Sequence, residues 1–154
     1  MQKKAFSLLH AMERSWWYRG RKIIARTVLN RFIGTNKKLK VLDFGAGYGG
    51  MLDILKPFGS VDAYEVESSA ISSCMERGYD RVSNKLEEVF GASDAYDLVT
   101  LFDVVEHVEN DTELSDSLYR VLKPGGHVII TVPAFQFLWS VHDVEHNHYS
   151  RYTT

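Results

Sequence analysis

The sequence predicts an α/β fold, a mostly parallel β-sheet with flanking helices. Short apolar runs, among them Lys40–Phe44, Val61–Glu65, Tyr96–Phe102 and the stretch from His127 to Val132, alternate with segments of helical period. Runs that stay apolar instead of alternating suit strands buried on both faces, the condition of parallel sheets. Glycine or proline punctuates the junctions at Gly34, Gly45, Pro57, Gly59, Pro124 and Pro133. Strands alternating with helices imply right-handed crossovers.

In chain order, Ile23, Ile24, Thr27, Val28 and Arg31 carry a helical period, widened by Leu29 and Phe32. They predict a helix from about Gly20 to Ile33, with further helix before it. Trp16, Trp17 and Tyr18 stand at the junction, either packed on the main domain or closing over a ligand as a lid. Residues 34–38 read as a turn, and Lys40–Phe44 is the first strand. Gly50 to Phe58 reads as a helix closed by Pro57 and Gly59. Val61–Glu65 is the second strand, followed by a helix to about Arg77 that Ser68 or Ser69 can cap. Residues 80–83 form a short third strand and Leu86–Val89 a single helical turn. Tyr96–Phe102 is the fourth strand. Leu114, Leu118, Val121 and Leu122 mark an amphipathic helix over Thr112–Leu122, stopped by Pro124-Gly125-Gly126. The fifth strand runs from His127 to Val132, ended by Pro133.

A chain of 154 residues fits one domain with a sizeable core. Apolar residues at 45% and charged residues at 25% are ordinary for a globular protein. The net charge of -2 gives no global attraction for nucleic acid or an anionic membrane. A basic cluster in the first 40 residues, including Arg14, Arg19, Arg21, Lys22 and Arg26, reads as a solvated helix face or as a contact for a phosphate-bearing or lipid-headgroup substrate. Cys74 has no cysteine partner in the chain, which fits a reducing compartment, and a cytoplasmic location is expected. The opening residues lack a signal-peptide pattern, and no apolar run has the length of a membrane span.

Gly45-Ala46-Gly47-Tyr48-Gly49-Gly50 follows a predicted strand and opens a helix. Missing side chains there permit tight dihedrals and close ligand approach. Gly45, Gly47 and Gly50 satisfy G-x-G-x-x-G, and Glu65 stands 20 positions beyond Gly45, so a nicotinamide or flavin dinucleotide fits formally. Asp43 shifts the balance: a carboxylate beside the loop suits a cationic ammonium and sulfonium and repels a pyrophosphate. Glu65 can accept hydrogen bonds from both hydroxyls of a ribose.

With these residues in view, the sequence resembles the class I S-adenosylmethionine-dependent methyltransferase superfamily, and more closely its ubiquinone- and menaquinone-biosynthesis-like small-molecule enzymes. The matching stretches are Val41–Gly50, Tyr96–His107 and Leu118–Gly126, in family order and spacing. The resemblance implies a Rossmann-like methyltransferase fold with S-adenosyl-L-methionine as cofactor and S-adenosyl-L-homocysteine as product. It implies a cofactor site of Asp43, Gly45, Ala46, Gly47, Gly49, Glu65, Val66, Ser83, Phe102 and Asp103. In it the glycine loop wraps the methionine part, Asp43 supports that part and Glu65 holds the ribose. The acidic residue that often meets the adenine amine has no clear match, Ser83 and Asn84 being nearest. The flanks Glu13–Arg21, Val132–Asp143 and His148–Thr153 resemble a narrower bacterial group found among polysaccharide- or lipid-modifying genes, which suggests a saccharide or lipid precursor as acceptor.

The organisation expected is an N-terminal helical segment (1–37), an S-adenosylmethionine-binding core (38–133) and a substrate-side loop (134–154). Class I methyltransferases continue through a sixth and an antiparallel seventh strand. Neither is expected within the 154 residues, which are then either a shortened chain or a natural minimal form. In the second case strand five would expose an apolar edge, so pairing into a homodimer or cover by residues 134–154 is expected. Methyl transfer from a sulfonium is an in-line displacement that needs alignment, a base for some acceptors, and neither a metal nor a covalent intermediate. His107 is the candidate base in the core, or a histidine that fixes its loop. His142 with Asp143 forms a second candidate acid–base pair, and Trp17, Arg151 and Tyr152 are candidate acceptor contacts. His142, Asp143, His146 and His148 have zinc-like spacing without a cysteine partner or a closing scaffold, so no metal is expected. The expected partner is a small-molecule acceptor, with no nucleic acid. A noncatalytic cofactor-binding or partner-binding domain is the alternative, and a nicotinamide-dependent oxidoreductase the more distant one.

Overall fold

A computed structural model describes residues 15–34, 38–145 and 148–153, with the side chain of His142 excepted. Helix α1 (Trp16–Phe32) starts at Ser15, whose hydroxyl accepts the Tyr18 N–H at 3.2 Å. The helix expected before Gly20 is continuous with the one after it, up to Ser15; residues 1–14 lie outside the described residues. An interior glycine costs a helix about 1 kcal/mol, a loss of the size that an N-cap restores. Ala25 and Leu29 are the buried face of α1.

Five parallel strands follow: β1 (Leu39–Phe44), β2 (Gly59–Tyr64), β3 (Arg81–Ser83), β4 (Tyr96–Phe102) and β5 (Leu122–Thr131), in spatial order β3-β2-β1-β4-β5. Between them lie α2 (Leu52–Leu55) with a 3₁₀ turn over Lys56–Phe58, α3 (Ser68–Arg77), α4 (Leu86–Phe90) and α5 (Asp111–Val121). After β4 comes a 3₁₀ turn, Val105–His107; after β5 come a turn at Gln136–Leu138 and α6 (Val141–Glu145). Val41, Leu55, Val61 and Leu98 join Leu29 of α1 in a core on one face of the sheet. Leu42, Val99, Leu101, Leu118 and Val121 build the core on the other.

Several boundaries differ from the sequence reading: β2 is shifted toward the N-terminus, leaving Glu65 just past its end, and two others change what holds an element. Glu67, not Ser68 or Ser69, caps α3, its carboxylate accepting the Ala70 N–H at 2.7 Å. Strand β5 begins at Leu122, because the ladder pairs Tyr96 with Leu122 and then Leu98 with His127, bulging out Lys123–Gly126. Gly125, at φ 77°, makes that bulge possible.

The far edge of β5 has no strand neighbour among the described residues. Among the described residues after β5, Ala134 bridges Tyr152 in parallel and the Tyr149 N–H bonds the Glu106 carbonyl. Strand order reverses between β1 and β4, so their carboxyl ends open the crevice in which open α/β sheets bind ligands.

Candidate active site

The glycine loop leaves β1 at this crevice. Gly45, Gly47 and Gly49 have φ of 73°, 55° and 77°, the left-handed region that glycine enters without a side-chain clash. Gly45 and Ala46 donate their N–H groups to the Tyr64 carbonyl at 2.9 and 3.1 Å, which ties the loop to the end of β2. A Cβ on Gly45 would come within 2.5 Å of Val104 Cγ2, whereas one on Gly47 would meet nothing within 4 Å. The first glycine therefore lets the loop pack on the Val104 side chain, and the second keeps open the space above the loop.

Asp43 lies beneath this loop, 2% exposed. Its carboxylate accepts the Tyr79 hydroxyl at 2.6 Å and the Thr100 hydroxyl at 2.9 Å. Burial pushes the carboxyl up to about 6, against the two hydroxyl bonds, and the nearby Glu65 charge adds to the rise. The same burial, with Asp43 alongside, raises Tyr79, so the tyrosine remains a donor. Burial also pushes the Cys74 thiol up to about 12, and its Sγ bonds the Gly47 carbonyl, so Cys74 packs the loop and is no nucleophile.

Glu65 holds the loop from the other side. One carboxylate oxygen accepts the Gly47 N–H at 2.7 Å, and the other accepts the N–H groups of Val66 and Glu67 at 2.7 and 3.0 Å. Val66 is exposed at the rim. A cavity of about 290 Å³ opens above the loop, lined by Tyr18, Arg21, Asp43, Gly45, Ala46, Gly47, Tyr48, Gly50, Met51, Phe102 and Asp103. Asp103, at φ 55°, is held by the Thr131 hydroxyl at 2.8 Å and by Arg21 at 2.7 Å.

Six of the cofactor residues expected from sequence thus share one cavity: Asp43, Gly45, Ala46, Gly47, Phe102 and Asp103. Gly49 sits behind it, where an added Cβ would lie 2.9 Å from the Tyr79 ring. Ser83 is buried at the end of β3, its hydroxyl donating to Glu88 at 2.9 Å and accepting the Lys85 N–H at 3.2 Å. Trp17 is 60% exposed, and Tyr18 is the aromatic that lines the cavity. Tyr79 and Thr100 were not singled out as site residues, whereas Tyr18 reads in sequence as packing or a ligand lid and Arg21 as one of the basic cluster. The helical period of α1 could have pointed to Tyr18 and Arg21, which share a face three positions apart. Of the basic cluster, Arg21 and Lys22 are committed to carboxylates, Asp103 and Asp53.

The candidate acceptor side gathers around Asp143, which is fully buried. Arg151 clamps its carboxylate through Nε at 2.7 Å and Nη2 at 2.8 Å, while His148 Nδ1 stands 2.9 Å away and the Ser140 N–H donates at 2.8 Å. The Arg151 clamp holds the Asp143 carboxyl well below the usual carboxylate range. The described partners of Asp143 are therefore Arg151, His148 and Ser140. The His142 side chain and all of His146 lie outside the described residues. Tyr152 packs on the second core, with its hydroxyl directed at the Val105 carbonyl. His107 is exposed on the turn after β4, its ring 4.7 Å from that of His148, edge to face. Glu106 beside it is buried, and burial pushes its carboxyl up.

A family of methyltransferase domains matches residues 16–154. The chain belongs to that family. The domain is 26% identical over 116 residues to phosphoethanolamine N-methyltransferase 2 of Caenorhabditis elegans, covering 68% of this chain and 26% of that protein. It is 33% identical over 107 residues to the mitochondrial ubiquinone biosynthesis O-methyltransferase of Rattus norvegicus, covering 60% and 30%. Among solved structures it resembles a SAM-dependent methyltransferase from Archaeoglobus fulgidus, with TM-score 0.66 and 20% identity over 91% of this chain and 68% of the other. It also resembles Haemonchus contortus phosphoethanolamine N-methyltransferase 2 in complex with S-adenosyl-L-methionine, with TM-score 0.67 and 20% identity over 86% and 34%. The methyltransferase domain thus spans a quarter to a third of the length of the two relatives compared by sequence. No helix among its described residues is long and apolar enough to cross a membrane.

Proposed function

We propose that the methyltransferase domain binds S-adenosylmethionine in the cavity above the glycine loop and transfers its methyl group to a small-molecule acceptor. The observation that carries this reading is a buried carboxylate, Asp43, beneath a loop whose Gly47 leaves the space above it open. The donor set fits a zwitterionic amino acid with a cationic sulfur. Asp43 and Asp103 supply negative charge to the ammonium and sulfonium, and the Arg21 guanidinium supplies a partner for the carboxylate. The cavity of about 290 Å³ is near the lower limit of small-molecule pockets, roughly 300 Å³. It takes the amino-acid end, and the adenosine lies outward along the rim at Glu65. Three amide bonds occupy most of the roughly four acceptor positions of the Glu65 carboxylate. The one position left lies on the oxygen that accepts the Gly47 N–H, and a ribose hydroxyl takes it. Gly49 and Val66 shape the loop and rim, and Ser83 bounds the adenine side.

When bound, S-adenosylmethionine supplies an electrophilic methyl group for in-line displacement. The chain's own contribution is alignment: Tyr18 and Phe102 wall the cavity, and Asp103 is fixed by Thr131 and Arg21. His107 and His142 are the candidate bases for an acceptor hydroxyl, with Asp143 orienting the acceptor side. The relatives' names include an N- and an O-methyltransferase, and a polar saccharide or lipid precursor reaching Trp17, Arg151 and Tyr152 is the acceptor class proposed here. A cytoplasmic location and pairing of two copies along the β5 edge complete the reading.

Calorimetric titration with S-adenosylmethionine and, in parallel, with NAD tests the assignment. Saturable binding of the first is expected; binding of NAD alone sinks it. Release of S-adenosylhomocysteine with a candidate saccharide or lipid acceptor then separates an enzyme from a cofactor-binding domain.

A further inference from the structure

We propose that Glu106, His107 and His148 form a binding site for a divalent first-row transition ion of the zinc type, at the loop that follows β4. One ligand atom from each of the three residues lies within 4.8 Å of the others. The second, independent observation is Glu106 itself. It is 1% exposed, and its Oε2 is buried with no hydrogen-bond partner among the described residues. A carboxylate oxygen withdrawn from water and given no donor is costly, and a bound cation is one of the few groups that satisfies it.

The surroundings are those of a supported ligand set. His148 directs Nδ1 at Asp143 Oδ1, 2.9 Å away, and the nitrogen it would turn to a metal is Nε2. A carboxylate on the far nitrogen is the arrangement that fixes ring orientation and raises basicity in metal-binding histidines. Asp143 is in turn immobilised by Arg151 and Ser140. The Tyr149 N–H donates to the Glu106 carbonyl at 2.6 Å, which pins the returning segment to the turn carrying Glu106 and His107. Metal–nitrogen distances of about 2.0–2.1 Å require the set to contract, and His107, exposed on its turn, has room to rotate inward.

Two imidazoles and one carboxylate favour zinc, iron or cobalt over magnesium or calcium, and they leave coordination positions for solvent or an acceptor oxygen. His107 and His148 stand 41 positions apart, so local spacing did not reveal the pair. The expectation of no metal rested on the neighbouring set His142, Asp143, His146 and His148, which shares only one ligand with this one. The site does not depend on what the cavity binds, and an ion held there leaves His142, not His107, as the candidate base.

The test uses the tag-free 154-residue chain, stripped with a chelator and titrated with Zn²⁺ against a chromophoric competitor, with Co²⁺ absorption as a second readout. One equivalent of ion is expected, with a visible Co²⁺ band showing nitrogen and oxygen ligation. His107→Ala, at an exposed ring, and Glu106→Gln should each weaken Zn²⁺ binding about tenfold or more. His127→Ala, on the exposed β5 surface, should leave it unchanged. Circular dichroism confirms that the exposed-ring variant folds. Absence of saturable uptake by the unaltered chain overturns the proposal, as does uptake that His107→Ala and Glu106→Gln both leave intact. S-adenosylmethionine titrated against the same samples reports separately on the cofactor reading.

Discussion

Replacing Asp43 by asparagine separates what this carboxylate costs the fold from what it gives the cavity. The group is 2% exposed, and burial raises its carboxyl from 3.8 to about 6. The unfolded chain ionises near the ordinary value, so between the two values the native state keeps a proton that the unfolded chain has released. Stability therefore falls as pH rises through that window and is level above it. At about 1.4 kcal/mol per pH unit, the gap of roughly two units corresponds to about 3 kcal/mol of destabilisation at neutral pH. An amide keeps the shape and both partners, because the Tyr79 and Thr100 hydroxyls can rotate to donate or accept. Asp43→Asn should be more stable than the parent by up to about 3 kcal/mol at about pH 8, with the difference vanishing at about pH 4. Urea denaturation across that range measures the gap, and it compares one position in two chains so that other titrations cancel. Calorimetry on the same protein should show weakened S-adenosylmethionine binding. A stability difference that does not change with pH, or a variant less stable at the alkaline end, would refute the reasoning.

Three other outcomes follow from contacts described above. Gly45→Ala brings a Cβ within 2.5 Å of Val104 at a φ of 73° and should cost about 1–3 kcal/mol in urea denaturation. Adding Val104→Ala should recover the steric part and leave the backbone strain; no recovery would mean that Val104 is not the obstacle. Glu65→Ala removes a charged acceptor from three amides and should lower S-adenosylmethionine affinity by about tenfold or more, at about 1.5–3 kcal/mol per charge-assisted hydrogen bond lost. Free methionine, which does not reach the ribose position, should lose less affinity. Arg151→Ala leaves the buried Asp143 without its clamp, so residues 134–153 should become the first region cut in limited proteolysis while the sheet stays intact. An unchanged cleavage pattern would show that the clamp does not hold that segment.

The sequence was most legible where burial is two-sided. Tyr96–Phe102 occupies the bounds its apolar run predicts, because a central parallel strand has no solvent face to blur the pattern. Legibility fell at helix starts. Ser68 and Ser69 are ordinary capping residues, yet Glu67 takes the role because its longer carboxylate reaches the Ala70 amide. The glycine loop and Asp43 were readable from their order along the chain. What holds Asp43 was not: Tyr79 and Thr100 stand 36 and 57 positions away, and only the folded sheet brings three strand-end regions together. The same reason hid Arg21 at Asp103 and His107 beside His148. In sequence, His142–Tyr152 stands out for its reactive side chains, but in three dimensions Ser140, His148 and Arg151 are tied to one buried carboxylate, Asp143.

The near-collision at Gly45 reaches beyond its effect on a single substitution. Val104, which fills the space a Cβ would need, directly precedes the turn that carries Glu106 and His107. The glycine loop therefore packs directly on the Val104 side chain, one residue before the turn after β4. Neither can shift by much without pushing the other. Loading of one half should then change the affinity of the other, and by thermodynamic reciprocity the factor is the same whichever is filled first. A single absent methyl group thus sets how closely the glycine loop and the turn after β4 can pack.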